Sequence, residues 1–268
     1  MGWASYREDI ISRFTAATRT GPSRRSPPIR TDQKCVDQGS RRIKDPTMNK
    51  LKEFTATTPR PLPVIVLADT SGSMSEDGKI EALNTALTDM IAAFAEEEQG
   101  RAEIHVAIIT FGDTAQIHQE LIPAAKITSR PLGAAGMTPM GGAFMLAREL
   151  VEDQQRVPSR AYTPAIVLVS DGQPNDEGWE LALAGLLESD RARKAQRFAL
   201  GVGEDADAGV LKRFLANPEG KVYGTADARQ IKSFFRWVTM SVATRSRSTN
   251  PNASVVDDFP PSDLDELL

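Results

Sequence analysis

The feature that most restricts the fold of this chain is an unbroken apolar run that ends at a carboxylate. Residues 62–68 read Leu-Pro-Val-Ile-Val-Leu-Ala, and Asp69 follows directly. An apolar run without polar alternation is typical of a parallel strand that is covered on both faces. We therefore predict a buried strand over residues 64–68, with Asp69 at its carboxyl end.

Strand-like and helix-like segments alternate along the chain after this first strand. Apolar residues at helical spacing predict helices, and short apolar runs predict strands. The predicted helices span residues 80–94, 141–154, 179–195, 208–215 and 228–243, and the further strands span residues 104–111, 115–122, 164–169, 198–202 and 221–223. Because only three residues separate the second and third strands, these two should form an antiparallel hairpin. The pattern predicts a Rossmann-like, doubly wound, mostly parallel α/β sheet with one antiparallel edge strand and helices on both faces.

The composition divides the chain into three parts. Residues 1–50 contain 11 Lys and Arg against 5 Asp and Glu, are rich in Pro, Ser and Arg, and lack periodicity, which is typical of disorder. Met48 is an alternative natural start, because it lies shortly before the first strand. Residues 61–244 form the predicted domain. Residues 245–268 lose periodicity and form a predicted flexible acidic tail.

Cysteine and histidine are too scarce for several kinds of site. Cys35 is the only cysteine, which excludes an intramolecular disulfide and a cysteine-cluster metal site. The two histidines, His105 and His118, lie in strand-like segments and are expected to be solvated or hydrogen-bonded there. The sequence shows no secretory apolar region and no apolar stretch of about 18 residues. We therefore expect a cytoplasmic protein that does not bind membranes.

Residues 69–73, which read Asp-Thr-Ser-Gly-Ser, place one carboxylate and two hydroxyls on a turn. The oxygens of Asp69, Ser71 and Ser73 suit a small hard cation such as Mg²⁺. So little negative charge would leave the cation open to a carboxylate from outside, which favours binding over catalysis. In isolation, the same motif is equally compatible with a turn in which Asp69 and Ser71 cap the next helix.

Two further segments end near the same point of the predicted sheet. One is a glycine-flanked loop, residues 136–142, that carries a threonine and precedes a helix; the other follows the strand over residues 164–169 and begins Ser-Asp-Gly. Ligands of doubly wound sheets bind outside the carboxyl ends of the strands, so we expect the three loops to meet there. The candidate metal ligands are Asp69, Ser71, Ser73, Thr138 and Asp171.

These five residues, in this order, resemble the metal-ion-dependent adhesion site (MIDAS) of von Willebrand factor A domains. The resemblance covers about residues 61–244. Within that family, the chain is most similar to the TerY-like branch, whose members are found in bacterial tellurium-resistance and stress-response loci. The similarity to this branch rests on residues 66–74, 80–84 and 232–238. The last of these segments is not needed for metal binding and is therefore independent support.

The resemblance implies a role for each of the five residues. Ser71 and Ser73 are expected to bind the metal directly, Asp69 and Asp171 directly or through water, and Thr138 most closely in the ligand-competent state. The expected cation is Mg²⁺, with Mn²⁺ or Ca²⁺ as alternatives. A partner protein would supply an Asp or Glu to the metal. For a TerY-like protein we expect a non-catalytic adaptor in stress-response or defence signalling, with a co-encoded kinase or phosphatase as the partner.

Other functions are open from the sequence alone. A hydrolase could use the same cation to activate water, although only Asp69 and Asp171 are available as bases, and both already belong to the site. Nucleic acid could bind the basic segment 1–50, but we favour a solvated tail. An acidic residue of the tail could also act as the incoming carboxylate in place of a partner. The candidates for that role are Asp263, Asp265 and Glu266.

Overall fold

The computed structural model describes residues 59–97, 101–225, 228–252 and 265–266. The segment 1–50, with Met48 and Cys35, and most of the predicted tail lie outside the described residues. What the sequence predicts for those segments stays a prediction.

The centre of the fold is a sheet with the strand order β3-β2-β1-β4-β5-β6-β7. Its strands are β1 (Arg60–Asp69), β2 (Ala102–Phe111), β3 (Ala115–Pro123), β4 (Ala165–Ser170), β5 (Gln196–Val202), β6 (Tyr223–Thr225) and β7 (Asp265–Glu266). β1 pairs in parallel with β2 and β4, and the pairs β4–β5 and β5–β6 are parallel as well. β3 runs antiparallel to β2 at one edge, which confirms the predicted hairpin. The predicted fold class is therefore confirmed.

The sheet contains a second antiparallel pair that the sequence analysis missed. The two-residue strand β7 pairs with β6, with Asp265 opposite Gly224 and Glu266 opposite Tyr223. These two residues belong to the segment predicted as a flexible tail, so that part of the tail extends the sheet. β7 lies at the opposite edge from β3, and β5 and β6 separate it from β4.

Helices cover both faces of the sheet, as predicted. They are α1 (Lys79–Ala95), α2 (Met140–Glu152), α3 (Trp179–Glu188), α4 (Ala208–Leu215) and α5 (Ala228–Arg247). Alternate side chains of β1 pack on opposite faces: Val64 and Val66 lie in a cluster with α1 and α5, and Ile65 and Leu67 lie in a cluster with α2, α3 and α4. This double burial explains why β1 is an uninterrupted apolar run. Within the described ranges, no helix combines the length and the apolar character needed to cross a lipid bilayer.

The helix predicted over residues 179–195 was wrong in its C-terminal part, because α3 ends at Glu188. Ser189 has an extended backbone conformation. Beyond it, the carboxylate of Glu152 accepts hydrogen bonds from the backbone N–H groups of residues 191 and 192, at 2.8 and 3.1 Å. These bonds replace the intrahelical ones and allow the chain to leave the helix.

Two other boundaries differ from the prediction. α5 continues past residue 243 to Arg247. The loss of periodicity after residue 244 predicted a flexible tail, but the side chain of Arg245 is buried and donates to backbone carbonyl groups. The sixth strand was predicted over residues 221–223 and instead begins at Tyr223, where its pairing with β5 starts.

Candidate metal centre

β1 and β4 are neighbouring parallel strands, so their carboxyl ends lie at the same edge of the sheet. Asp69 is the last residue of β1, and Asp171 directly follows β4. Both are buried, with 0% and 1% of the residue exposed. Two like charges buried together are unfavourable unless hydrogen bonds or a cation compensate for them.

Ser71 and Ser73 bring their hydroxyl groups to Asp171. The two Oγ atoms lie 3.1 Å apart. Ser73 Oγ donates to Asp171 Oδ1 at 2.8 Å, and Ser71 Oγ lies 3.4 Å from the same oxygen as a weaker donor. Ser71 is buried, whereas Ser73 is exposed. The oxygen cluster therefore opens to solvent on the side of Ser73.

Asp69 is held by a predicted site residue and by one that the sequence analysis missed. Its Oδ1 accepts the backbone N–H of Ser71 at 2.8 Å, and its Oδ2 accepts the hydroxyl of Ser170 at 2.5 Å. Burial raises the pKa of Asp69 to about 6, while these hydrogen bonds oppose the rise and the nearby carboxylate of Asp171 adds to it. The signal that could have identified Ser170 is its place next to Asp171, at the end of a buried strand.

Thr138 lies beside the residue that follows Asp171. Thr138 is buried, with 7% exposed. A methyl group added at Gly172 would lie 3.7 Å from Thr138 Oγ1, so the two residues are close neighbours. The carbonyl oxygen of Thr138 accepts the backbone N–H of Asn175 at 3.2 Å. The structure therefore brings all five predicted residues to one edge, with four in a hydrogen-bonded group and Thr138 next to it.

The loop after β4 also caps the helix that follows Thr138. The carboxylate of Asp176 accepts the backbone N–H groups of Gly141 and Gly142, at 3.1 and 3.0 Å, in the first turn of α2. An acidic side chain at this place also suits the positive end of the helix dipole. The loop that carries Asp171 and the loop that carries Thr138 are therefore joined by hydrogen bonds at two points.

The turn after β1 is packed tightly against its neighbours. Its Thr70 carbonyl oxygen accepts the backbone N–H of Ala135 at 2.8 Å, and Gly72 donates to the carbonyl oxygen of Gly136 at 3.0 Å. A methyl group at Gly112 would lie 2.5 Å from the carbonyl oxygen of Ala135 and 2.6 Å from that of Thr70. A glycine is therefore needed at position 112 for the three loops to approach one another.

Lys79 is a further side chain at this edge that the sequence analysis missed. Its Nζ lies 2.9 Å from Asp171 Oδ2, and 16% of the lysine side chain is exposed. The signal in the sequence is weak, because lysine is common on helix surfaces. Lys79 is the first residue of α1, and the N-terminus of a helix is an unusual place for a positive charge.

The donor set consists of oxygen atoms, which are the ligands that hard divalent cations prefer. In the part of the chain that the structure describes, no three His, Cys, Asp or Glu side chains come together in a way that could hold a metal. A metal here would therefore depend on the serine and threonine hydroxyls as well as on the two carboxylates. His105 and His118 are not part of the site, since they hydrogen-bond to Glu103 and to the carbonyl oxygen of Arg130.

The fold and this edge of the sheet define an A-type α/β domain with a hydroxyl–carboxylate cluster at its ligand crevice. The von Willebrand factor type A domain family matches residues 64–237, which is more than half of the chain. The chain belongs to this family. No curated protein matches it closely enough to add a more specific assignment.

Solved structures with the same fold share little sequence with this chain. Proximal thread matrix protein 1 from the mussel byssus, described with a zinc-occupied MIDAS motif, is 15% identical over 68% of this chain and 48% of that chain, with a TM-score of 0.53. The von Willebrand factor type A protein from Catenulispora acidiphila is 20% identical over 69% of this chain and 43% of that chain, with a TM-score of 0.50. The ArnB paralog VWA2 from Sulfolobus acidocaldarius is 19% identical over 66% and 45%, with a TM-score of 0.50. The chain spans less than half the length of each of these, and the likeness establishes the fold alone.

Proposed function

We propose that this chain is a metal-dependent protein-interaction module that binds an acidic side chain of a partner. The observation that carries the proposal is the oxygen cluster at the carboxyl ends of β1 and β4. There the hydroxyls of Ser71 and Ser73 lie on the carboxylate of Asp171, and Asp69 is buried beside them. Such a set of oxygens has the composition of a site for a small hard cation.

Each residue of the cluster has a role in holding the cation. Ser71 and Ser73 bind it through their hydroxyl oxygens, Asp69 and Asp171 bind directly or through water, and Thr138 joins in the ligand-bound state. Mg²⁺ is the proposed cation, with Mn²⁺ or Ca²⁺ as alternatives. The zinc-occupied MIDAS motif of the similarly folded mussel protein supports a divalent cation at this place in the fold.

The charge of the cluster favours an acidic partner. Two carboxylates and neutral hydroxyls give little negative charge, and Asp171 also faces the ammonium group of Lys79. The exposed side of the cluster, at Ser73, leaves room for a ligand from outside. An Asp or Glu of a partner protein would supply both the missing charge and one further oxygen ligand.

We propose binding rather than catalysis at this site. Hydrolysis with a metal-bound water needs a general base that is free to take a proton. Both oxygens of Asp69 and both oxygens of Asp171 already accept hydrogen bonds from neighbouring side chains or backbone. The alternative, a metal-dependent hydrolase, would turn over a phosphoester or peptide substrate.

The similarity of three segments to TerY-like proteins supports a narrower role. Of residues 66–74, 80–84 and 232–238, the last segment lies in α5 and takes no part in the metal cluster. We propose a cytoplasmic adaptor in bacterial stress-response, tellurium-resistance or defence signalling. A co-encoded kinase or phosphatase is the proposed partner.

Isothermal titration with Mg²⁺ tests whether the oxygen cluster binds metal. We expect Ser73→Ala and Asp171→Asn to weaken Mg²⁺ binding by at least about tenfold, the loss typical even for residues that only support a metal ligand. Ser75→Ala is the matched control, because Ser75 is an exposed serine two positions further on whose hydroxyl donates to the carbonyl oxygen of Gly72 at 2.7 Å. Mg²⁺ binding that is the same in all four proteins would contradict the proposed site.

A pull-down from the native cell tests the proposed interaction. Wild type and Asp171→Asn are compared with Mg²⁺ and with EDTA. We expect a protein that is retained by wild type in Mg²⁺ and lost in the variant and in EDTA. If the protein is retained equally by the variant and in EDTA, the proposal is contradicted. If the wild type turns over a phosphoester or peptide substrate and Asp171→Asn does not, the hydrolase is favoured instead.

A further inference from the structure

Lys79 places an ammonium group on a candidate metal ligand. Its Nζ lies 2.9 Å from Asp171 Oδ2, and most of the lysine side chain is buried. The other oxygen, Asp171 Oδ1, accepts the hydroxyl of Ser73 at 2.8 Å and lies 3.4 Å from that of Ser71. The carboxylate is therefore fully bonded by groups of the chain itself.

The position of Lys79 in its helix is electrostatically unfavourable. Lys79 is the first residue of α1, and the capping residue before it is Gly78, which has no side chain to satisfy the helix end. The N-terminus of a helix carries a partial positive charge, so an acidic or neutral residue is preferred there. Residues that break a local rule of this kind are expected mainly where function requires them.

The side chain of Lys79 is confined between two loops. On one side lies Asp171, and on the other lies the turn after β5. A methyl group at Gly203 in that turn would lie 3.5 Å from Nζ and 3.7 Å from Cε of the lysine. The ammonium group therefore has a defined place on the carboxylate, in contrast to a lysine that extends into solvent.

We propose that Lys79 is an internal cation that balances Asp171 when no metal is bound and lowers the affinity of the site for a divalent cation. The inference rests on the proposed metal-binding function and adds to it a control on metal occupancy. A metal ion bound through Oδ1 meets a positive charge held on Oδ2 of the same carboxylate. Like charges at such short range repel each other strongly where the protein excludes water.

This arrangement couples the metal to the partner. With Lys79 on Asp171, the site binds metal weakly by itself. A partner carboxylate adds the negative charge that Lys79 offsets, so the metal and the partner each bind more tightly when the other is present. Metal occupancy then becomes a property of the complex.

Titration with Mg²⁺ alone, by calorimetry, tests the inference in the purified protein. Lys79→Met removes the charge but keeps an aliphatic side chain, Lys79→Gln keeps a hydrogen-bond donor without the charge, and Lys79→Arg keeps the charge. Lys126→Met removes an exposed lysine elsewhere and controls for net charge. We expect the Met and Gln variants at position 79 to bind Mg²⁺ about tenfold more tightly or better, with Lys79→Arg and Lys126→Met close to wild type.

Thermal unfolding in EDTA gives a second measurement that does not depend on the titration. Lys79→Met should lower the melting temperature in EDTA, because the buried carboxylate of Asp171 loses its ionic partner, and saturating Mg²⁺ should raise it by more than in wild type. If Lys79→Met does not fold, the same comparison is made with Lys79→Gln.

Three results would overturn the inference. In the first, Lys79→Met and Lys79→Gln bind Mg²⁺ no more tightly than wild type does. That result would leave the proposed metal site itself intact. The second is an equal gain in Lys79→Arg, since charge would then not be the cause. The third is that no protein of the set binds Mg²⁺, wild type included, which would also overturn the proposed function.

Discussion

Strand β4 has a buried charged side chain at each end. At its amino end, the guanidinium of Arg245 donates to the carbonyl oxygen of Thr163 at 2.7 Å. At its carboxyl end, Asp171 directly follows the strand. Each of the two charged residues is 1% exposed. The two ends differ in how the buried charge is compensated and in whether solvent reaches the compensating groups.

The amino end is closed, and each nitrogen of its charged group donates a hydrogen bond. Besides Thr163, Arg245 donates to the carbonyl oxygen of Pro251 at 3.0 and 3.1 Å and to Oε1 of Gln196 at 2.9 Å. These acceptors are neutral oxygens, and burial lowers the pKa of Arg245 to about 10. The guanidinium remains charged at neutral pH, and its hydrogen bonds join α5, the start of β5 and the segment before β4.

The carboxyl end is open. Two carboxylates lie there together, serine hydroxyls surround one of them, and the outermost hydroxyl belongs to the exposed Ser73. Lys79 offsets one of the two charges. The comparison shows that a buried charge alone does not indicate function. We expect a binding site where two buried carboxylates lie together with a single positive charge and where a path to solvent remains.

Arg245→Met removes the hydrogen bonds at the amino end of β4 and has the largest expected effect on stability. The substitution leaves buried carbonyl oxygens without donors and removes the link between three segments. We expect the free energy of unfolding to fall by about 3 to 5 kcal/mol, because each buried acceptor left without a donor costs about 1 to 3 kcal/mol. Chemical denaturation in EDTA measures the change.

Arg236→Met is the matched control for this substitution, because Arg236 is exposed on the same helix. It should change stability very little. At a temperature where Arg245→Met is folded, its Mg²⁺ affinity should match wild type, since the proposed metal site lies at the other end of β4. A stability loss as small as that of Arg236→Met would show that the amino end is not a structural support.

Much of the oxygen cluster at the carboxyl ends of β1 and β4 could be predicted from the sequence because the strands impose its geometry. Parallel strands place their carboxyl ends at one edge, so the apolar runs before Asp69 and Asp171 were enough to bring these residues together. The hydroxyls of Ser71 and Ser73 follow from their spacing on the same turn. The fold class was predictable for the same reason, since the order of strands and helices allows few arrangements.

The contacts of long side chains could not be predicted in this way. Lys79 and Ser170 reach the cluster because of the direction in which α1 leaves its turn and the face on which β4 ends. Arg245 resembles a solvated residue at the end of a helix, and only the packing of α5 against the amino ends of the strands buries it. The early end of α3 depends on Glu152, which lies far away in the sequence.

Asp69→Asn tests the carboxyl end of β1 and β4. In contrast to Arg245→Met, it should raise the free energy of unfolding. The asparagine can still accept the N–H of Ser71 and can donate to Ser170, so the fold keeps both contacts while the buried charge disappears. Since burial raises the pKa of Asp69 from 3.8 to about 6, we expect a gain in unfolding free energy of about 2 to 3 kcal/mol at pH 7.5 in EDTA. The same variant should bind Mg²⁺ more weakly than wild type.

The gain from Asp69→Asn should depend on pH. In the unfolded chain the carboxyl ionises near its ordinary pKa of 3.8, and in the folded protein near 6. Between these values the folded state holds a proton that the unfolded state has lost, so wild-type stability falls as pH rises through this window. The difference between variant and wild type should therefore shrink toward pH 4. Denaturation curves in EDTA at several pH values would contradict the prediction if the difference stayed constant.

Gly112→Ala has the smallest expected effect on stability. It tests whether the oxygen cluster depends on close packing of the loops around it. The added methyl group would lie 2.5 Å from the carbonyl oxygen of Ala135, so the turn after β1 and the loop before Thr138 must move apart. We expect a loss of about 1 to 2 kcal/mol in unfolding free energy, together with weaker Mg²⁺ binding because Thr138 is displaced.

Gly133→Ala is the matched control, since a methyl group there meets nothing within 4 Å. A loss of stability without any change in Mg²⁺ affinity would mean that the threonine loop packs against the turn but does not serve the metal. The proposed metal ligands would then be the two carboxylates and the hydroxyls of Ser71 and Ser73.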